Sequence, residues 1–147
     1  MLRRLSLLSV LCVVALTAQF VVGEEAKFKA TCPVAGKPAV ADKSVDYKGG
    51  KVYFCCGGCP GAFAADTAKY AAKANHQLYE TKQAKLVACV ISGGKLNPET
   101  KIQVAGLDVC FCCNNCKGKV EKAKGDEQLE MVFGDKAFEK GFKVEKK

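Results

Sequence analysis

The chain has very few of the side chains that several common functions require. Its two arginines, Arg3 and Arg4, stand at the extreme N-terminus, it has one histidine, and Met131 is the one methionine besides Met1. Because arginine supplies most bidentate contacts to phosphate and guanine, nucleic-acid binding is not expected despite a net charge of +8. No set of serine, histidine and acid, phosphate loop or interacting pair of acids is recognisable, so we do not expect an enzyme.

The N-terminal segment has the pattern of a secretion signal. The arginines precede an uncharged run from Leu5 to Val22, and Val21-Val22-Gly23 provides a cleavage position before Glu24. We expect residues 1–23 to be a signal peptide and the mature protein to be secreted or periplasmic. An N-terminal membrane anchor is the alternative, because the run approaches the roughly 18 residues that span a bilayer. Polar interruptions favour cleavage, after which no stable membrane insertion is expected.

The rest of the chain contains an internal duplication with an offset of 57 residues. Four cysteines of one copy superimpose without a gap on four of the other: Cys32, Cys55, Cys56 and Cys59 on Cys89, Cys112, Cys113 and Cys116. Glycine and apolar positions also match, for example Phe54 with Phe111. The agreement of period, cysteine spacing and neighbouring residues indicates two copies of one unit. We assign the first cysteine-rich repeat to residues 24–80 and the second, with a C-terminal extension, to residues 81–147.

The first copy predicts a hairpin followed by a helix. Two short strands, Ser44–Lys48 and Lys51–Cys55, flank Gly49-Gly50, which is a two-residue hairpin signal. Pro60 suits the first turn of a helix that extends through Leu78. The inner face of this helix has spacings of three and four residues and consists of Phe63, Thr67, Tyr70 and Ala74.

The second copy predicts the same elements. Lys101–Ala105 and Asp108–Cys112 flank Gly106-Leu107, and a helix follows from Asn114 to Lys124, where Gly125 ends it. A short strand is also expected at Leu86-Val87, and two amphipathic pieces near the C-terminus are expected to cover the core.

These elements predict an α+β protein made of two tandem, treble-clef-like units. Each unit is a β-hairpin followed by a helix. A unit of about 50 residues buries too little surface to be stable alone, so the two units are expected to pack together.

The cysteines of each unit have the layout of a thiolate metal site. Zinc and other soft metals need several sulfurs at about 2.3 Å, and a turn together with a hairpin end that runs into a helix commonly supplies them. Adjacent strand residues point to opposite faces, so Cys55 and Cys56, like Cys112 and Cys113, are not expected to serve one ion equally. Three-sulfur sites suit Cu⁺ or heavier soft ions, whereas a filled fourth position suits structural Zn²⁺. We expect about one such ion per repeat. The single histidine, His76, is expected to be a polar residue on a helix surface and not a ligand.

Two other uses of the cysteines stay open. Export favours a disulfide scaffold, although loss of Cys12 with the signal peptide leaves nine cysteines, and an odd number cannot all pair. The odd one is Cys110, which stands where Tyr53 stands in the first copy. The third interpretation is thiol redox chemistry through Cys56-Gly57-Gly58-Cys59 and Cys113-Asn114-Asn115-Cys116, although no βαβ pattern surrounds either pair.

The order of motifs in the first copy matches a known pattern. It runs through Thr31-Cys32-Pro33-Val34, then Val45-Asp46-Tyr47-Lys48-Gly49, then Val52-Tyr53-Phe54-Cys55-Cys56-Gly57-Gly58-Cys59, and Phe63. In these residues the chain resembles the YHS and TRASH heavy-metal-binding domains, small hairpin-and-helix modules associated with metal trafficking, resistance and sensing. The resemblance covers residues 31–70 and, through the duplication, residues 88–123. The Tyr-His-Ser signature is absent.

The resemblance implies a ligand set and a role. The family's separated cysteine followed by C-x-x-x-C falls on Cys32, Cys55, Cys59, Cys89, Cys112 and Cys116. Cys56 and Cys113 stand where many relatives carry a residue that is not a ligand, and with Cys110 they are candidate additional ligands. The implied protein is an exported binder of Zn²⁺, Cu⁺ or a heavy metal, for storage, scavenging or trafficking, with a metal-exchange protein as its partner. The alternative is a structural or partner-binding protein that zinc or disulfides hold together.

Overall fold

The computed structural model describes residues 28–145 and confirms an α+β protein. In chain order the elements are β1 (Val40–Tyr47), β2 (Gly50–Phe54), α1 (Cys59–Ala65), α2 (Thr67–Glu80), β3 (Ala84–Leu86), β4 (Asn97–Val104), β5 (Leu107–Phe111), α3 (Asn114–Lys122), α4 (Gly125–Phe133), α5 (Asp135–Gly141) and β6 (Phe142–Val144). The predicted signal peptide lies outside the described residues. Between residues 28 and 145, no helix is both long enough and apolar enough to cross a membrane.

Each unit contains a hairpin followed by a helix, as predicted, but both hairpin turns lie one residue earlier than expected. The turns are Lys48-Gly49 and Ala105-Gly106, rather than Gly49-Gly50 and Gly106-Leu107. Their φ angles are all positive, 49° and 85° in the first turn and 47° and 82° in the second. This is the pattern of a type I′ turn, whose twist matches that of two antiparallel strands. The strand register therefore places Lys48 and Ala105 in a conformation that side-chain-bearing residues seldom adopt.

The helix prediction needs two corrections. The helix expected from Pro60 through Leu78 is interrupted at Asp66, which has φ −146° and caps α2 by accepting a hydrogen bond from the Lys69 N–H at 3.1 Å. Gly125 does not end a helix but begins α4, with φ +57°. The apolar spacing of the first copy thus continues across a break between two helices.

The two units pack on one another around α2. This helix contacts β2 of its own unit and α4 of the second. Buried side chains of both repeats form one hydrophobic cluster, in which Phe54 and Leu78 of the first unit join Phe111 and Phe133 of the second. Each small unit therefore completes its core with the other copy.

A small sheet joins the segment just after the first unit, which was assigned to residues 24–80, to the C-terminal end of the second. β3 follows the helices of the first unit, β6 follows those of the second, and the two strands pair antiparallel. Ala84 lies opposite Val144, and Leu86 lies opposite Phe142. The strand expected at Leu86-Val87 is present as β3 but begins two residues earlier and ends at Leu86, whereas β6 was not predicted.

Asp135 at the start of α5 connects the second unit to the first. Its carboxylate accepts hydrogen bonds from Lys48 Nζ at 2.8 Å and from Asn75 Nδ2 at 3.0 Å. Burial raises the pKa of this carboxyl, but the hydrogen bonds from Lys48 and Asn75 outweigh burial and bring the pKa below its ordinary value. The charged form therefore stabilises the fold above the ordinary pKa of an aspartate, and this stabilisation is lost as the pH falls through the lower native pKa.

We predict that Asp135→Ala lowers the free energy of unfolding at pH 7 by about 1–2 kcal/mol, a value reduced for the partial exposure of the carboxylate. Urea denaturation measures the change. Asp126→Ala is the matched control, because Asp126 is 89% exposed and lies 3.8 Å from Lys73. Its effect should stay within about 0.5 kcal/mol. The difference between the variants should shrink below about pH 4, and equal stabilities at pH 7 would contradict the assigned role.

Candidate metal centres

The six cysteines chosen from the sequence form two groups of three. The first group is Cys32, Cys55 and Cys59, and the second is Cys89, Cys112 and Cys116. Within each group all Sγ atoms lie within 4.8 Å of one another. Thiolates bound tetrahedrally to one ion at 2.3 Å are about 3.8 Å apart, and the structure has 3.7 Å between Cys55 and Cys59 and 3.6 Å between Cys112 and Cys116. Each group could therefore hold one metal ion.

A tight turn positions the most buried cysteine of each unit. In the first unit the Gly36 N–H donates to the Cys32 carbonyl at 2.9 Å, and the Cys32 N–H donates to the Lys37 carbonyl at 2.8 Å. In the second, the Gly93 N–H donates to the Cys89 carbonyl at 2.6 Å. Gly36 and Gly93 have φ values of +66° and +75°, a left-handed conformation that favours glycine. The matching glycines of the two repeats thus have a structural role in holding this turn.

The other two cysteines of each group come from the end of the hairpin and the start of the helix. In the first unit the chain bends after β2, so Cys55 joins the group while Cys56 is exposed. Cys59, the first residue of α1, is buried. The second unit divides its adjacent pair in the same way, with Cys112 in the group and Cys113 exposed.

The buried carboxamide of Gln77 on α2 connects the two chain segments that carry the first group. Its Nε2 donates to the carbonyls of Thr31 at 2.8 Å and Tyr53 at 2.7 Å, while its Oε1 accepts from the Tyr53 N–H at 2.7 Å. Thr31 precedes Cys32 directly, and Tyr53 lies two residues before Cys55. One side chain therefore fixes the separation of the turn and the hairpin.

The cysteines of the two turns, Cys32 and Cys89, have pKa values below that of an ordinary thiol. Burial raises the pKa of Cys89, but the Ser92 hydroxyl and nearby backbone N–H groups outweigh burial and bring the pKa to about 6. Burial likewise opposes ionisation of Cys32, and the backbone N–H groups of Ala35 and Cys55 outweigh it and lower the pKa. Hydrogen-bond donors of the turn thus favour one thiolate per group, with the Ser92 hydroxyl added to the backbone donors in the second.

The thiols at the helix starts hold their protons more tightly. Hydrogen bonding with Cys56, followed by burial, raises the pKa of Cys59 to about 12. Burial and the neighbouring Cys112 and Cys89 raise the pKa of Cys116 to about 12. Three thiols at these distances cannot all ionise without a cation, because like charges oppose one another. A metal ion would displace the remaining protons and neutralise the sulfurs.

The three candidate additional ligands lie outside the two groups. Cys56 Sγ is 3.3 Å from Cys59 Sγ, and Cys113 Sγ is 3.6 Å from Cys112 Sγ. Cys110 lies on β5, half-buried, and is not brought into the second group. The exposed cysteines therefore stand at the edge of the sites, whereas Cys110 stands apart from them.

The second site contains a hydroxyl that was not predicted. Ser92 Oγ lies 3.1 Å from Cys112 Sγ and accepts a hydrogen bond from the Gly94 N–H at 3.2 Å. In the first unit the same position is Ala35, which has no polar side-chain atom. This hydroxyl could have been recognised by aligning the two turns of the duplicated sequence, because Ser92 replaces alanine three residues after the first cysteine.

His76 connects the units and belongs to neither cysteine group. It was expected on a helix surface, but it is half-buried against the second hairpin. Its Nε2 is 3.1 Å from the Ala105 carbonyl, and its ring meets that of Phe133 edge-on at 5.0 Å. Because burial lowers the pKa of His76, the neutral ring with a proton on Nε2 donates this hydrogen bond. The correction follows from the packing of the second copy against α2.

We predict that Gln77→Leu lowers the free energy of unfolding by about 2–4 kcal/mol, because the backbone groups of Thr31 and Tyr53 lose their partner. Chemical denaturation of the metal-free protein measures this loss. Gln103→Leu is the control, since Gln103 is exposed on β4, and it should change stability by no more than about 0.5 kcal/mol. Similar losses in both variants would contradict the role of Gln77.

Comparison with family models, curated proteins and solved structures finds no match for this chain. Its class therefore rests on the fold and the two cysteine groups. These define an α+β protein with a duplicated hairpin-and-helix unit and two candidate metal centres made of thiols.

Proposed function

We propose that this protein binds one soft metal ion, Zn²⁺ or Cu⁺, in each unit and stores, scavenges or passes on the metal outside the cytoplasm. The observation that carries the proposal is that both copies bring three Sγ atoms at matching positions to separations that suit a shared ion. The sequence resemblance to YHS and TRASH domains supports the same role. The proposed ligands are Cys32, Cys55, Cys59, Cys89, Cys112 and Cys116.

Each proposed site is closed on one side and open on the other. In the first, Cys32 and Cys59 are 0% and 6% exposed, whereas Cys55 is half-exposed and Cys56 is exposed. Structural zinc sites are closed by four ligands, whereas exchange of the ion needs an accessible coordination position. The open edge therefore supports transfer of the ion to a thiol-bearing partner over a purely structural role.

One contact favours a second candidate function, thiol redox chemistry in the first unit. Cys56 and Cys59 lie 3.3 Å apart, and hydrogen bonding with Cys59 and with the backbone N–H of Gly58 lowers the pKa of Cys56 to about 7. A thiolate of this kind attacks disulfides. Metal binding accounts in addition for Cys32 and Cys89, which a redox pair does not need.

We predict that residues 24–147, purified anaerobically, carry about two metal ions per chain, measured by elemental mass spectrometry. The site thiols should become alkylated only after chelation. Cys59→Ser and Cys116→Ser should each leave about one ion, whereas the control Cys110→Ser should leave about two.

Two outcomes would contradict metal binding in favour of the other candidates. A metal-free protein with a mass lowered by about four disulfides would be an oxidised scaffold. A metal-free protein with one reversible disulfide between Cys56 and Cys59 would be a redox protein.

A further inference from the structure

We propose that Cys56 is the exchange ligand of the first site: it takes the ion from the three grouped cysteines and presents it to an incoming thiolate acceptor. We further propose that the first unit exchanges its ion faster than the second. Both statements rest on the proposed metal-binding function, because an exchange ligand requires an ion.

The position of Cys56 combines contact with the site and access to solvent. Its Sγ lies 3.3 Å from that of Cys59, although Cys56 is not a member of the group of three. The two sulfurs need to move apart by only about 0.5 Å to reach the separation of two thiolates on one ion. Cys59 is buried, so an acceptor cannot reach it directly. Cys56 is exposed and provides the path between this buried ligand and a sulfur outside the protein.

The loop beside Cys56 leaves that path open. Gly57 and Gly58 follow it, both are exposed, and a Cβ built on either would meet no atom within 4 Å. In the second unit the same two positions are Asn114 and Asn115, which carry carboxamide side chains. An acceptor thus meets two exposed glycines between Cys56 and Cys59, but two exposed asparagines between Cys113 and Cys116.

The second site has an additional contact that holds one of its ligands. The Ser92 hydroxyl lies 3.1 Å from Cys112 Sγ, and the Gly94 N–H in turn holds the hydroxyl at 3.2 Å. A hydroxyl in contact with a ligand sulfur restricts the movement of that sulfur. Cys55, the counterpart of Cys112, has Ala35 at the position of Ser92. The ligand set of the first site is therefore more easily rearranged.

The transfer is ligand substitution without a change of oxidation state. The Cys56 thiol releases its proton to water as its sulfur binds the ion, and the bond from Cys59 to the ion breaks. The acceptor thiol then releases its proton and binds the ion while the remaining bonds to the protein break. The freed cysteines take up protons from water, so charge and protons balance.

Stopped-flow measurement of zinc release tests the proposal. The zinc-loaded protein is mixed with a zinc-responsive dye in the presence of glutathione or of a peptide with two cysteines, which separates a small-molecule acceptor from a protein-like one. We expect two phases of about one ion each. Cys56→Ser should keep two ions but slow the fast, thiol-dependent phase about tenfold, equal to about 1.4 kcal/mol in the activation barrier. Cys113→Ser, the matched control, should leave this phase unchanged.

A reciprocal exchange of the two residues between the paired cysteines tests access to the site separately from binding of the ion by Cys56. Gly57→Asn with Gly58→Asn should slow the fast phase, and Asn114→Gly with Asn115→Gly should accelerate the slow phase. Circular dichroism and the amount of bound zinc show that each variant is folded and loaded.

Three results would overturn the inference while the proposed function stands. The Cys56→Ser variant could release zinc as fast as the parent protein. The same variant could bind only one ion, which would make Cys56 a resident ligand. Finally, the Cys113→Ser variant could slow the fast phase as much as Cys56→Ser does. A parent protein that binds no zinc or copper would instead remove the proposed function itself, and the inference with it.

Discussion

The hydrogen bonds of the buried Gln77 carboxamide are the interaction on which the first cysteine group depends. They link α2 to the residue before Cys32 and to the strand that leads to Cys55. The position equivalent to Gln77 in the second copy is Gly134, which has no side chain to do the same. The second hairpin instead receives hydrogen bonds from α2 of the first unit, from His76 to Ala105 and from the Tyr79 hydroxyl to the Asp108 carbonyl at 2.8 Å. One helix therefore positions both hairpins.

The duplication has preserved the cysteines and changed what surrounds them. Each copy retains the turn glycine and the three grouped sulfurs, so the separation of the sulfurs is nearly the same in the two units. The residues around the cysteines differ between equivalent positions: Ala35 of the first copy corresponds to Ser92 of the second, and Tyr53 corresponds to Cys110. Because a donor beside a thiolate changes its basicity and its freedom to move, two sites with the same ligands can differ in how firmly they hold an ion.

Much of the fold could be predicted from the sequence, because the period fixes which residues correspond. The grouping of the six cysteines needed in addition the resemblance to YHS and TRASH domains, since the period alone does not distinguish Cys55 from Cys56. The errors arise where local signals are ambiguous or where packing decides. Two adjacent glycines at positions 49 and 50 left the hairpin register open, and Ala105 gives no sign that it adopts a positive φ. The helix break at Asp66 could not be recognised from the sequence, because residues of the predicted inner face recur with helical spacing on both sides of it. β6 is too short to stand out by itself, although the repeat offset makes Lys143 and Val144 the equivalents of Leu86 and Val87, where a strand was expected.

The pairing of β3 with β6 has a consequence for the behaviour of the protein in dilute solution. The two strands belong to one chain, so their effective concentration is set by the connecting residues and not by the amount of protein present. Dilution cannot separate the two units. A fluctuation that frees β3 or β6 deprives the other strand of its backbone hydrogen-bond partners, so the parts of the chain that lead into these strands are expected to melt together.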